Sequence, residues 1–145
     1  MSCIICKNVH KTYGHGKNST HAVRGISATF ESGQFYSIIG RSGSGKSTFL
    51  HILGGILAPD EGTVLYDSCN LGELNDVERA KVRLKQTGFV FQDYQLLPEL
   101  TVKENILVPA ILDHRILDED WCNKIMAQLE ITSMADRYPS EEGRY

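Results

Sequence analysis

No apolar run in this sequence is long enough to cross a membrane. The longest weakly polar stretch, Phe49 to Ala58, carries His51 and two glycines. It is about half the ~20 residues that a spanning helix needs. There is no basic excess either: Lys and Arg number 15 against 18 Asp and Glu, a net charge of −3. Neutralising a phosphate backbone needs the opposite balance, so a nucleic-acid partner is not expected. The first residues lack the basic segment and apolar stretch of a secretory signal, and the expected compartment is the cytoplasm. Cysteine is scarce, at four residues. Cys3 and Cys6 have the spacing of half a zinc site, but in a strand that spacing puts them on opposite faces, and no second Cys or His pair follows. Reduced, partly buried thiols are expected. What remains is an ordinary soluble composition, 41% apolar and 23% charged over 145 residues, enough for one core.

The pattern along the chain alternates short β-rich runs with helical stretches. Residues 3–9 and 22–30 predict strands, separated by a polar loop from His15 to Thr20. Phe35 to Ile39 is a compact apolar run ending at Gly40, and it predicts a buried strand. Apolar residues then recur at helical spacing from Phe49 to Leu57, with Pro59 and Asp60 as the stop. Gly62 to Asp67 predicts a strand, Asn75 to Lys85 a helix capped by Asn75 or Asp76, and Gly88 to Phe91 a short strand. Thr101 with Glu104 forms a capping-box pattern opening a helix, and Asp118 to Leu129 is amphipathic. The expected class is α/β, β-rich over residues 1–92 and mostly helical over 93–145.

Between a predicted strand and a predicted helix lies Gly40-Arg41-Ser42-Gly43-Ser44-Gly45-Lys46-Ser47, which fits G-x-x-x-x-G-K-[ST] in full. Glycines at 40, 43 and 45 let the backbone curl so that consecutive N–H groups face one phosphate. The helix beginning near Lys46 aims its positive end at the same point. Lys46 can reach the β and γ phosphates, Ser47 can offer a hydroxyl to Mg²⁺, and Thr48 is the next residue available to the α-phosphate. The pattern predicts ATP-type triphosphate binding. Hydrolysis also needs a carboxylate at a strand end to order the metal, and two segments offer one: Val64 to Asp67, and Phe89-Val90-Phe91-Gln92-Asp93.

The chain resembles the ATP-binding subunits of ABC transporters, nearest to those serving lipoprotein release and macrolide export. The resemblance is carried by Lys11-Thr12-Tyr13-Gly14, Ala22-Val23-Arg24-Gly25, the phosphate loop, Ile52 to Leu57, Gly88-Phe89-Val90-Phe91-Gln92, and Leu96 to Ile106. It implies a P-loop NTPase core with an antiparallel N-terminal part. Tyr13 then matches the aromatic that stacks on adenine, and Gln92 the loop glutamine that contacts Mg²⁺ and water. Asp93 and Asp67 become loop and turn residues. The helices after Gln92 match the segment that docks on a transmembrane permease subunit. The resemblance further implies a second ATP-binding subunit as partner and a position on the cytoplasmic face of a membrane.

One departure stands out. After Tyr138-Pro139-Ser140-Glu141 the family carries the signature Leu-Ser-Gly-Gly-Gln, whereas this chain reads Glu142-Gly143-Arg144-Tyr145. The metal carboxylate, its neighbouring glutamate and the switch histidine are likewise expected beyond this point, so the sequence reads as roughly 60% of such a subunit, incomplete at its C-terminal end. Two functions follow from this: an ATPase subunit powering transport, with residues 1–145 alone inactive, or a non-catalytic nucleotide-binding or docking fragment.

Overall fold

A computed structural model describes residues 3–116 and 118–139, with the backbone alone at Lys17. Ser140 to Tyr145, which include the expected departure at Glu142 to Tyr145, lie outside the described residues. The chain divides into two compact units, Met1–Gly88 and Phe89–Tyr145.

The first unit is built on a four-stranded antiparallel sheet of β1 (Cys3–Tyr13), β2 (Thr20–Glu31), β3 (Glu61–Tyr66) and β4 (Cys69–Asn70), in the order β2-β1-β3-β4. Helix α1 (Lys46–Leu53) packs Phe49, Ile52 and Leu53 against Cys6, Val9, Val23, Val64 and Tyr66 of the sheet, with Leu71 closing the core. Each such side chain contributes roughly 1.5–3 kcal/mol on burial. The buried Tyr66 hydroxyl donates to the Leu53 carbonyl near the end of α1. Burial pushes the Cys6 thiol up to about 11, which keeps it protonated and a poor metal ligand.

Helix α1 is shorter than the apolar spacing suggests. It ends at Leu53, because Gly55 takes a left-handed φ of +72° and the Ile56 and Gly55 N–H groups bond back to His51 and Ile52. This is a Schellman ending, which terminates a helix before any proline is reached. Helix α2 (Asp76–Gln86) starts on the expected residue: Asn75 caps it in a full capping box with Glu78. Its Arg83 guanidinium donates to the Gly55 carbonyl at 2.8 Å, tying α2 to the end of α1.

Two expected strands are absent. Phe35 to Ile39 has no regular structure and pairs with no strand among the described residues, and only Ile38 packs on the core. Phe35 is 94% exposed and Ile39 89% exposed. Apolarity identified a segment fit for burial, but a strand also needs a neighbour to take its N–H and C=O groups. Gly88 to Phe91 is irregular for the same reason, with the Phe89 and Phe91 rings stacked at 5.2 Å and Val90 exposed.

In the second unit, α3 (Val102–Leu112) begins with the expected capping box. Thr101 bonds Glu104 N–H, and the Thr101 N–H and hydroxyl hold the Glu104 carboxyl below the usual carboxylate range. Asn105 then pins the preceding loop, donating to the carbonyls of Leu97, Leu100 and Thr101 and accepting from Leu97 N–H. Helix α4 (Glu119–Gln128), capped by Asp118, buries Cys122 and Met126.

The exposed Phe35 and Ile39 generate a prediction. Residues 1–145 expressed alone will self-associate or need a partner, since apolar side chains on an unpaired segment favour edge pairing. A Phe35→Ser/Ile39→Ser variant should raise the monomer fraction in size-exclusion chromatography. A wild-type monomer with a sharp, cooperative thermal transition would contradict the expectation.

Candidate functional site

The segment from Gly40 to Thr48 bends from the preceding apolar run into α1. Three of its features follow from backbone chemistry. Gly43 has φ of +76° with open space around it, and Gly45 has φ of +87°, both conformations that favour glycine. At Gly45 a side chain would also collide, since a Cβ there would stand 2.0 Å from the Ala22 carbonyl oxygen. At Gly40 a Cβ would meet Ser44 Oγ at 2.6 Å. The loop is therefore seated directly on strand β2.

Ala22 takes this position because the β1–β2 register steps from Lys11↔Val23 to Thr12↔His21, leaving Ala22 as the extra residue of a bulge. Regular alternation does not reveal such a bulge, and the sequence reading missed Ala22 as a contributor. The same hairpin end carries Tyr13, opposite Thr20 and 42% exposed. Two residues of strand separate Thr20 from Ala22, about 7 Å. An exposed aromatic ring thus stands at the end of β1, close to the seat of the loop.

Gly45 is the N-cap of α1 and supplies no side-chain cap, and the first turn of α1 holds no acidic residue. Helices α2, α3 and α4 contrast with this: Asn75, Thr101 and Asp118 cap them, and each has a carboxylate in its first turn. The positive end of α1 is left to an outside anion. Lys46, the first residue of α1, folds over the loop and donates from Nζ to the carbonyls of Gly40 at 2.9 Å and Arg41 at 2.8 Å. Arg41 and Ser42 are exposed, as is Ser47 on the first turn, while Thr48 is half-buried. A glycine cradle, an uncapped helix end and one lysine at its rim form a donor set whose chemistry fits a polyphosphate.

The other candidates fall elsewhere. Asp67 sits in the β3–β4 turn at φ of +51°, where its Oδ1 accepts the Cys3 N–H at 3.0 Å. Gln92 and Asp93 belong to the second unit, exposed on the irregular segment before α3.

An antiparallel β part, a phosphate-type loop opening a helix, and a helical unit beyond define a P-loop nucleotide-binding protein. The chain belongs to the ABC transporter family, whose model matches residues 23–144. It is 38% identical to the bacitracin export ATP-binding protein BceA of Halalkalibacterium halodurans over 97% of this chain and 56% of that protein. To the lipoprotein-releasing system ATP-binding protein LolD of Saccharophagus degradans it is 43% identical over 75% of this chain and 48% of that protein. Among solved structures, the dimeric post-hydrolysis state of the ATP-binding cassette MJ0796, bound to ADP and Pi, superposes with a TM-score of 0.86 at 35% identity, over 97% of this chain and 63% of that one. The chain therefore spans about half to two-thirds of the length of these relatives.

The two left-handed glycines make a test pair. Gly45→Ala should lower the unfolding free energy by about 2–4 kcal/mol, because backbone strain adds to a collision with the Ala22 carbonyl. Gly43→Ala meets no neighbour and should cost only about 1–2 kcal/mol. Urea unfolding checks the order, and equal losses would mean that the loop is not seated on β2.

Proposed function

We propose that this chain is the nucleotide-binding part of an ABC transporter ATP-binding subunit, taking ATP with Mg²⁺ at the segment Gly40 to Thr48. The observation that carries the reading is the uncapped, acid-free N-terminus of α1 beneath a glycine cradle, with Lys46 at its rim. Backbone N–H groups of the loop would bind the phosphates, Lys46 would neutralise the β and γ positions, and Ser47 would hold the metal ion; for Gln92 a metal-contact role rests on the family resemblance alone. When bound, Mg²⁺ would supply charge neutralisation at the phosphates. Tyr13 would offer its ring as a platform for adenine, where a flat apolar face contributes on the order of 1 kcal/mol and reads little of the base edge.

The family also supports a transmembrane permease subunit and a second ATP-binding subunit as partners, at the cytoplasmic face of a membrane. The relatives' names speak of bacitracin export and lipoprotein release. What this chain would help move is set by the permease and not by the residues of the phosphate loop. In that assembly the second unit, with α3 and α4, would be the docking part.

Two outcomes test the proposal. Lys46→Ala should weaken ATP by about 10- to 100-fold, since charge-assisted bonds to phosphate contribute roughly 1.5–3 kcal/mol. Titration with a fluorescent ATP analogue measures it, and equal affinity in both proteins would remove the phosphate-loop assignment. The second outcome concerns turnover. Residues 1–145 should bind ATP without sustained hydrolysis, because Gln92 is an amide and too weak a base to accept a proton from water. Elements that act as a unit lose nearly all their rate when several are missing. Phosphate release near ~1 s⁻¹ that disappears in Lys46→Ala would overturn this and restore Asp93 as the metal carboxylate.

A further inference from the structure

Strand β3 pairs with β1 only as far as His10↔Glu61, so among the described residues the edge of β1 from Lys11 to Tyr13 has no strand neighbour on that side. The cause is local. Two residues before Glu61 stands Pro59, which has no N–H to give a ladder. Asp60, between them, fills the gap with three bonds to consecutive residues of β1. Its N–H donates to the His10 carbonyl at 2.9 Å. Its Oδ2 accepts the Thr12 N–H at 2.7 Å, and its Oδ1 accepts Lys11 Nζ at 2.7 Å. The Lys11 ammonium, by hydrogen bonding to it, holds the Asp60 carboxyl below its usual range.

Asp60 has a second connection. It closes the turn that leaves α1 through Gly55 and Leu57, and Leu57 packs on the core. The other flank of the β1 end is held by Thr12 Oγ1 and His21 Nδ1 at 2.9 Å, next to the Ala22 bulge that seats Gly45. One carboxylate thus joins the strand end that carries Tyr13 to the chain leaving the phosphate-loop helix.

We propose that Asp60 is a positioning residue for the base platform: its carboxylate replaces the missing strand neighbour along Lys11 and Thr12 and fixes Tyr13 relative to the phosphate loop. The proposal rests on the reading of Tyr13 as the residue that stacks on the base. Asp60 touches no ligand and acts through Tyr13. Without it the end of β1 frays, Tyr13 spends less time in stacking geometry, and the loss is confined to the base.

The test compares MgATP with Mg-tripolyphosphate, which has the phosphates and no base, by calorimetric titration of the full chain. Tyr13→Ala and Asp60→Ala should each weaken ATP roughly three- to tenfold and leave tripolyphosphate unchanged. In the double variant the two losses should not add, because both remove the same stacking. Asp60→Asn keeps an acceptor for the Thr12 N–H and loses the Lys11 ion pair, so its ATP affinity should lie between wild type and Asp60→Ala. It also decides the matter if Asp60→Ala loses tripolyphosphate too: a selective ATP loss supports the proposal, and equal loss of both ligands overturns it. Unchanged ATP binding in Asp60→Ala beside a weakened Tyr13→Ala sinks the Asp60 role alone. Unchanged ATP binding in Tyr13→Ala removes the base platform itself, and the Asp60 proposal with it.

Discussion

The approach of Gly45 to the Ala22 carbonyl governs the geometry of the first unit. A helix that packs on a sheet ordinarily stands off by the thickness of its side chains. Here one end of α1 comes in to backbone contact, where even a methyl group would sit 2.0 Å from a carbonyl oxygen. That contact requires a bulge in β2 to present Ala22 and a left-handed residue without a side chain to receive it. Farther along α1, Phe49, Ile52 and Leu53 restore ordinary packing distance. The helix is pinned at its N-terminus by backbone and along its body by apolar burial, so its positive end cannot drift from the hairpin end that carries Tyr13.

The same constraint separates features legible in the sequence from those that were not. The helix start at Thr101 could be read directly, and that of α2 to within Asn75 or Asp76, because a cap is a local bond between a side chain and an N–H two or three residues on. The phosphate-loop pattern was legible because its glycines have a backbone reason to exist. Phe35 to Ile39 reads as a buried strand and is largely exposed and unpaired among the described residues: apolarity is local, whereas a pairing partner is not. The end of α1 was misplaced for a related reason. Pro59 is a conspicuous breaker, yet Gly55 ends the helix earlier by reversing the sign of φ. Ala22 and Asp60 were visible only as part of a family motif and as a helix stop; their contacts were not legible, since these are set by strand register.

Register also explains why a short acidic residue serves at position 60. Along a regular edge, a neighbouring strand offers carbonyls to the N–H groups that face it. Once Pro59 ends that strand, the acceptor for Thr12 must come from a side chain short enough to lie along the edge. Asp60 does so while its own N–H still bonds as a strand residue to His10. Its second oxygen takes the Lys11 ammonium, whose side chain is 18% exposed. A half-exposed pair of this kind contributes little to global stability. Its effect is directional, because it orders a strand end that would otherwise fray.

Lys46 shows why such small directional terms count. Its ammonium already bonds two loop carbonyls, at Gly40 and Arg41. In the proposed function, a phosphate at the cradle would compete for an ammonium that is already engaged. The net gain from Lys46 would be the difference between its ionic bonds to phosphate and the charge-assisted bonds to two carbonyls given up, a few kcal/mol at most. The loop N–H groups at the end of α1 have no side-chain cap to displace, so they give a fuller share of their bond energy to the ligand. With the lysine contribution reduced by exchange, the affinity of the proposed site would depend on the geometry of the cradle and on contacts made away from the phosphates. That is where the seating of Gly45 on β2 and the ordering of the β1 end would enter the binding free energy.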